Sequence, residues 1–201
     1  MFKTINALSI AISLSLVVVM QPQALSGTVG AITSWGHDGY GLVSNTPPGT
    51  DFAAIAGGSF HSLALKSDGS ITSWGWDVFD QVSNTPAGTD FAAIAGGNYH
   101  SLALKSDGSI ISWGRDNFDQ VSNTPSGTDF TAIAGGGYHN LALKSDGSII
   151  SWGRDNDGQV INTPTGTGFT DIAGGWYHSL ALTVPEPHTL LLASLASMGL
   201  T

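Results

Sequence analysis

A 39-residue repeat restricts this chain to a fold built from equivalent units. Tryptophan returns at this interval within Ser-Trp-Gly, and a Gly-Gly pair, an Asn-Thr-Pro triplet and a histidine keep the same spacing. The tryptophans are Trp35, Trp74, Trp113 and Trp152, and the histidines are His61, His100, His139 and His178. A fixed period of this length indicates a propeller or a solenoid, in which each unit buries its apolar face against its neighbours.

Each unit contains three short apolar runs bounded by glycine. In the second full unit they are FAAIAGG at 91–97, HSLALK at 100–105 and SIISWG at 109–114. Runs of this length and alternation predict strands, and Asp107-Gly108 between the last two is typical of a tight hairpin turn. A weaker fourth strand is predicted around Gln81-Val82-Ser83, before a proline that stops ladder pairing.

Three or four antiparallel strands per unit predict an all-β chain in which each unit is one β-propeller blade. TVGAITSWG near the start matches only the third strand of a unit, whereas FTDIAGGWYHSLALT near the end matches only the first two. Pairing of residues 30–36 beside 178–182 would complete a fourth blade and close the ring. Because four blades curve tightly, an open arc or half of a dimeric eight-bladed ring stays an alternative, and so does a β-solenoid.

The first 26 residues have the features of a secretory signal peptide. Lys3 precedes an apolar stretch, and Ala24 and Ser26 follow it with the small-residue spacing of a cleavage site. An uncleaved anchor is the alternative, although the apolar stretch of about 14 residues is shorter than the roughly 20 that span a bilayer. We therefore expect an exported protein with a signal peptide at 1–26, repeats at 27–183 and a tail at 184–201.

The stretch AGGNYHSLALKSDGSIISWGRDNFDQ and its copies resemble the RCC1 repeat, whose family is known for β-propellers. The glycine pair, His-Ser-Leu-Ala-Leu, the Asp-Gly turn and Trp-Gly occur in the family's order across roughly residues 30–182. The copies are shorter than those of the eukaryotic founders, and four occur where the family commonly has seven. The resemblance implies the fold. It does not carry over the founder's activation of a small GTPase, because export would make that partner inaccessible.

The tail resembles the PEP-CTERM sorting signal of exported bacterial proteins. Pro185-Glu186-Pro187 is followed by an apolar run from Leu190 to Leu200, which is shorter than the family's helix and lacks its terminal basic cluster. The resemblance implies a cell-surface or extracellular-matrix destination and an exosortase-type sorting enzyme as a partner. A loosely docked chain end is the alternative interpretation.

Composition excludes several classes of function. The chain has no cysteine, which rules out disulfides, thiolate metal sites and a cysteine nucleophile. Its net charge of −9 disfavours nucleic acid as a partner. No phosphate-binding glycine loop, HExxH motif or Ser-His-Asp constellation is present, and equivalent histidines offer no asymmetric acid-base pair. We therefore predict a protein that is not an enzyme and needs no cofactor.

The repeated histidines and tryptophans are interpreted as structural residues. Each imidazole has two nitrogens that can bond backbone groups between blades. A ring of imidazoles that binds a transition metal is the alternative. Asp38, Asp77, Asp116 and Asp155 follow Trp-Gly and are predicted to cap turns, with a calcium loop at Asp155-Asn156-Asp157-Gly158 as a further alternative.

Aromatic residues within polar loops are the best indication of a binding site. They occur where the copies differ, after Trp-Gly and just before each histidine, and flat rings beside carboxylates and amides suit a sugar or a peptide. The candidate ligand-binding residues are Tyr40, Trp76, Phe79, Arg115, Phe118, Arg154, Asn98, Tyr99, Tyr138, Trp176 and Tyr177. Packing between blades is the alternative explanation for these rings.

These observations predict an exported, non-enzymatic scaffold that binds a protein partner or takes part in extracellular-matrix assembly. A multivalent carbohydrate-binding lectin is the alternative, since one weak site per blade would gain avidity. An enzyme with residues near the ring axis is a third hypothesis. The partner is an unknown protein or glycan, and a homodimer is possible on the same grounds as the eight-bladed ring.

Overall fold

The computed structural model describes residues 28–184, in which eleven strands and one short 3₁₀ turn, Gly39–Gly41, form the regular structure. The predicted signal peptide at 1–26, and all of the predicted tail except Val184, lie outside the described residues. Within the described part of the chain, no helix has the length and apolar character needed to cross a membrane. The strands are β1 Phe52–Gly57, β2 His61–Lys66, β3 Ile71–Gly75, β4 Phe91–Gly96, β5 His100–Lys105, β6 Ile110–Gly114, β7 Phe130–Gly135, β8 His139–Lys144, β9 Ile149–Gly153, β10 Phe169–Gly174 and β11 Ser179–Thr183.

Each repeat folds into an antiparallel meander, as the alternating apolar runs predict. The sheets have the orders β1-β2-β3, β4-β5-β6 and β7-β8-β9, and the last repeat contributes the pair β10-β11. In the second sheet His100 lies opposite Gly114 and Leu104 lies opposite Ile110. The all-β, blade-like repeat predicted from the sequence is therefore confirmed.

The hairpin between the second and third strands forms where Asp107-Gly108 predicted it. Gly108 has a φ of 84°, which lies in the left-handed region that glycine adopts without strain. The Lys105 amide donates to the Ser109 carbonyl at 2.8 Å, and the Asp107 carboxylate accepts from both the amide and the hydroxyl of Ser109. The Ser109 hydroxyl and amide lower the pKa of Asp107 below its usual value of 3.8.

The prediction of a fourth strand around Gln81-Val82-Ser83 is wrong, because these residues form a turn. The carboxylate of Asp77 accepts hydrogen bonds from the amides of Val82 and Ser83 at 2.7 and 2.9 Å, which curls the loop back on itself. Asp38, Asp116 and Asp155 bond the equivalent amides, so the predicted capping role of these aspartates is confirmed.

Apolar side chains of successive sheets pack into layers between the units. Leu63 and Leu65 of β2 lie against Phe91, Ala103 and Trp113 of the next unit, and all five are buried. This arrangement recurs one repeat later. Burial of apolar surface contributes about 25 cal/mol per Å², so these layers are the main source of stability in a chain without disulfides.

Glycine pairs bring the backbones of neighbouring units into direct contact. A Cβ added at Gly96 would lie 2.8 Å from the Gly58 nitrogen, and one at Gly135 would lie 2.7 Å from the Gly96 carbonyl oxygen. Real Cβ atoms do not approach backbone this closely, so the repeated glycine is required by the spacing between units.

The expected pairing of 30–36 with 178–182 is not formed in the described structure. Gly30 instead makes an antiparallel bridge with Phe52, and the last sheet holds only β10 and β11. The bridge repeats the contact in which the Phe91 amide donates to the Gly69 carbonyl one unit later. Residues 30–36 are thus held at the start of the first unit, and the molecule is the open arc that was the alternative.

Replacing Gly96 with alanine should destabilise the protein, because the added methyl group meets fixed backbone of the preceding unit. We expect Gly96→Ala to lower the free energy of unfolding by about 1–3 kcal/mol, as overpacking does elsewhere. Chemical denaturation followed by circular dichroism would measure the change.

Gly30→Ala is the matched control, since nothing lies within 4 Å of a Cβ added there. It should leave the unfolding free energy unchanged or slightly raised. Equal losses in both variants would contradict the close-approach explanation.

Candidate binding surface

The candidate binding residues lie at one end of the units, where two loops meet. The Trp76 amide donates to the Phe60 carbonyl at 2.8 Å, which joins the loop after β3 to the turn before β2. The Arg115 amide bonds the Tyr99 carbonyl in the same way, at 2.9 Å. Each unit therefore presents its two variable loops side by side.

Side chains from these loops form one continuous surface, which we call the aromatic band. Tyr40 stacks on Trp76 with ring centroids 5.1 Å apart, and Phe60 stacks on Tyr99 at the same distance. Tyr99 in turn lies 6.1 Å from Tyr138. The band consists of Tyr40, Phe60, Trp76, Phe79, Tyr99, Arg115, Phe118, Tyr138, Arg154, Trp176 and Tyr177.

Two arginines are inserted between the rings. The guanidinium of Arg115 lies 4.8 Å from the Phe79 ring centroid and 5.3 Å from that of Tyr99. Arg154 occupies the equivalent position one unit later, 5.3 Å from Tyr177. Cation–π contacts of this kind hold each guanidinium against the rings, and Nε of both arginines is buried there without a hydrogen-bond partner.

The basic residues at the two ends of the units differ in their ion pairs. At the hairpin end, Lys66, Lys105 and Lys144 each pair with an aspartate, at 3.2, 3.0 and 3.1 Å. On the aromatic band, Arg154 lies 3.5 Å from Asp157, whereas Arg115 has no carboxylate within 4.0 Å among residues 28–184. Arg115 is therefore the arginine on the band that forms no ion pair with the described residues.

The structure brings ten of the eleven candidate residues to this surface and buries the other. Asn98 is only 2% exposed and donates from Nδ2 to the Tyr138 hydroxyl at 2.7 Å, which fixes the tyrosine from below. Phe60 also belongs to the band, although it is absent from the predicted set. Its position just before a repeat histidine, equivalent to Tyr99 and Tyr138, was the signal that could have found it.

Some rings of the band pack between blades, and others are exposed as ligand binding would require. Phe60, Trp76 and Tyr99 contact rings of neighbouring units and are only partly exposed, as packing between blades requires. Tyr40 and Tyr177, at the two ends, remain 55% and 53% exposed. The role of the candidate residues in ligand binding stays a prediction.

The repeated histidines reach from one unit to the next. Nε2 of His61 lies 2.8 Å from the Ser101 hydroxyl, and Nε2 of His100 lies 2.6 Å from Oδ1 of Asn140. Because Nδ2 of Asn140 donates to the Gln120 carbonyl, its Oδ1 accepts from a protonated Nε2 of His100. These contacts support the structural interpretation of the histidines. Residues 28–184 contain no group of three or more His, Asp or Glu side chains arranged to hold a metal ion.

Burial keeps these imidazoles neutral. His61 and His100 are completely inaccessible, and burial lowers the pKa of each to about 4 from the usual 6.5. Burial also lowers the pKa of His139. Three of the repeat tryptophans, Trp74, Trp113 and Trp152, are buried in the apolar layers between units, whereas Trp35 is 84% exposed.

Repeated three-stranded meanders joined by glycine contacts and carrying variable loops at one end define a propeller-type repeat protein. The model of the Regulator of chromosome condensation (RCC1) repeat matches residues 52–81, 91–120 and 130–159. The chain therefore carries three RCC1 repeats, as the resemblance in its sequence indicated. A search of curated protein sequences finds no significant match.

Solved structures share this fold. The ectodomain of the receptor kinase CR4 from Physcomitrella patens aligns with a TM-score of 0.61 and 25% identity, over 74% of this chain and 42% of that one. Prp20p from Saccharomyces cerevisiae aligns with a TM-score of 0.59 and 19% identity, over 81% of this chain and 54% of that one. The chain thus spans about half the length of the structures it matches.

The buried histidines should make stability fall between about pH 6.5 and pH 4. In this range histidines protonate in the unfolded chain, while His61 and His100 stay neutral in the folded one. Protons therefore favour unfolding as the pH falls, at a cost of roughly 3 kcal/mol per histidine by pH 4. Urea denaturation at a series of pH values would measure this loss.

Replacing a histidine with a residue that does not titrate separates its contribution to the pH dependence of stability from that of other groups. His100→Gln should remove about 3 kcal/mol of the loss, whereas His37→Gln, at an exposed position, should leave the profile unchanged. An identical pH profile for wild type and His100→Gln would contradict this account. Aspartates whose pKa is lowered in the folded state, such as Asp77, Asp107 and Asp116, lose their stabilisation mainly as the pH falls through 3.8 and below, and they do so equally in wild type and variant.

Proposed function

We propose that this protein is an exported, non-enzymatic scaffold whose aromatic band docks a segment of a protein partner. One observation carries the proposal: the rings form an uninterrupted series of contacts from Tyr40 in the first loop to Tyr177 in the last repeat. A surface that crosses every unit suits an extended partner segment more than a small molecule.

The composition of the band supports protein recognition. Trp, Tyr and Arg are the residues that most often supply binding energy at protein interfaces, because they combine large contact area with hydrogen-bonding groups. Ring–ring and cation–π contacts hold these side chains in place before a partner arrives, which reduces the entropy lost on binding. Among proteins of the same fold, Prp20p is described by its binding properties to Gsp1p and histones, and yeast RCC1 (Prp20) forms a complex with Kap60.

The positive charge of Arg115 indicates which side chains the partner segment would carry. Its guanidinium lies within 6 Å of the ring centroids of Phe79, Tyr99 and Tyr138 and has no carboxylate partner within the described residues. A partner carboxylate could form a bidentate pair with it, while neighbouring apolar side chains pack on the rings. The docked segment is accordingly one that combines acidic and apolar residues.

Selection from a random-peptide phage library on the immobilised protein would test this function. We expect the selected peptides to carry Asp or Glu beside aromatic or aliphatic residues. Arg115→Gln should weaken their binding by tenfold or more, because hot-spot residues contribute over 1.4 kcal/mol each. Titration calorimetry with a selected peptide would measure the change.

Lys105→Gln is the matched control. It removes the same charge from the opposite end of the same unit, where Lys105 pairs with Asp90, and it should change affinity by less than twofold. Equal effects of the two substitutions would show that net charge, and not the band, determines binding.

Carbohydrate binding is the second candidate function. The exposed rings of Trp176 and Tyr177, 46% and 53% accessible, offer apolar faces of the kind on which a sugar ring can stack. Glycan-array binding that is lost in Tyr177→Ala, without selection of any peptide, would favour the lectin. Failure to bind any sugar, with or without calcium, would remove it.

Export is the part of the proposal that rests on residues 1–26. Cleavage after Ser26 is expected when the full chain is produced in a bacterium with a secretory pathway, since the small residues at 24 and 26 fit signal peptidase. N-terminal sequencing of the protein outside the cytoplasm should then begin at Gly27. An intact Met1 on protein that stays in the cytoplasm would contradict export.

A further inference from the structure

The last unit of the arc lacks the strand that completes the others. β11 pairs only with β10, so its second edge is open among the described residues, and Leu180 and Leu182 on it are 59% and 60% exposed. Their equivalents in the first unit, Leu63 and Leu65, are completely buried.

A cavity of ≈ 360 Å³ lies where the tryptophan of that missing strand would fit. Between the first and second units, Trp113 packs among Leu63, Phe91 and Ala103, with Ile71 beside them, and its Nε1 donates to the Gln81 carbonyl. The residues equivalent to these five neighbours of Trp113, two repeats or 78 positions later in the chain, all line the cavity. They are Leu141, Phe169, Ala181, Ile149 and Gln159.

Residues 30–36 have the sequence and conformation of such a strand. ITSWG at 32–36 is identical to ITSWG of β3. Gly36 has a φ of 108° where Gly75 has 111°, and the Thr46 hydroxyl donates to Ser34 at 2.7 Å as the Thr85 hydroxyl does to Ser73. The segment thus has the conformation of a third strand, with Trp35 exposed and, apart from the Gly30 bridge to Phe52, no strand paired to it among residues 28–184.

The two ends of the arc also carry complementary polar groups. His178 is exposed, whereas each preceding repeat histidine reaches a residue 40 positions ahead in the next unit. The equivalent acceptor for His178 is Ser62 of a first unit. Nothing lies within 4 Å of a Cβ added at Gly57, although its equivalents Gly96, Gly135 and Gly174 all touch a preceding unit.

We propose that two copies of this chain join head to tail into one ring. Residues 30–36 of each copy pair with the open edge of β11 in the other, and Trp35 enters the cavity beside Gln159. Leu180 and Leu182 then pack on Phe52 and Trp74, which lie buried in the first unit beside Ile32. Each copy has one such end of each kind, so two copies related by a two-fold axis satisfy every end.

A second copy fits better than other occupants of this edge. Residues 30–36 of the same chain are held at the far end of the arc by the bridge between Gly30 and Phe52. The segment of this chain equivalent to β3, residues 188–192, reads HTLLL, without Trp-Gly, and follows Pro-Glu-Pro where the other units have the Asp-Gly turn.

Engineered cysteines would test the pairing, because the natural chain has none. Leu63 lies opposite Ser73 in the first sheet, so Leu180 of one copy should lie opposite Ser34 of the other. Directly opposed residues of antiparallel strands are close enough for a disulfide. Oxidation of Ser34→Cys/Leu180→Cys in the full chain should give a covalent species of twice the chain mass on a non-reducing gel.

Ser34→Cys/Leu182→Cys is the matched control, two residues out of register, and should cross-link at least tenfold more slowly. A cross-link within one chain, at the mass of a monomer, would overturn the proposal in favour of self-closure. Equal cross-linking of both variants, or a ladder of larger species, would overturn the two-copy ring.

The mass of the cysteine-free protein in solution gives an independent measurement. Light scattering should show twice the chain mass for wild type, and Trp35→Ala should raise the dissociation constant at least tenfold while circular dichroism stays unchanged. Val78→Ala, at a residue 62% exposed in the loop between β3 and β4, should remain dimeric. A monomeric wild type would overturn the proposal, as would dissociation that Trp35→Ala does not alter.

Discussion

Direct backbone contact between glycines of successive units is the constraint on which the remainder of this structure depends. With no side chain between them, the backbones of Gly57, Gly96, Gly135 and Gly174 follow one another at a separation that excludes a Cβ. This spacing brings each sheet close enough for its leucines to bury the phenylalanine and tryptophan of the next unit. It also places His61, His100 and His139 within hydrogen-bond distance of the following unit.

The same spacing assembles the aromatic band. The turn that follows each glycine pair carries an aromatic residue, and the Trp-Gly loop adds others beside it, so a regular separation between units becomes a regular separation between rings. Tyr99 therefore contacts rings from the unit before it and the unit after it. Exposed loop residues and buried core residues alternate along only a few positions, so the loops differ between units while the core stays the same.

Much of the fold and part of the site could be predicted from local signals. Asp107-Gly108 predicted its hairpin because the turn needs a left-handed residue, and Asp77 predicted a cap because a carboxylate there meets two free amides. Gln81-Val82-Ser83 was misjudged as a strand, since the pattern does not reveal that Asp77 curls the loop. Asn98 was taken for a surface residue, because the sequence does not show that Tyr138 of the next unit covers it.

The repeating unit, its three strands and its hairpin turn can be predicted from the sequence, because they depend on contacts between residues close together in the chain. That the two ends of the arc stay apart is visible only in the folded molecule, since curvature accumulates from small rotations between units that no local pattern encodes. The tertiary structure also decided that scattered aromatic residues form one surface with Arg115 among them. Residues 39 positions apart become neighbours only when whole units pack against each other.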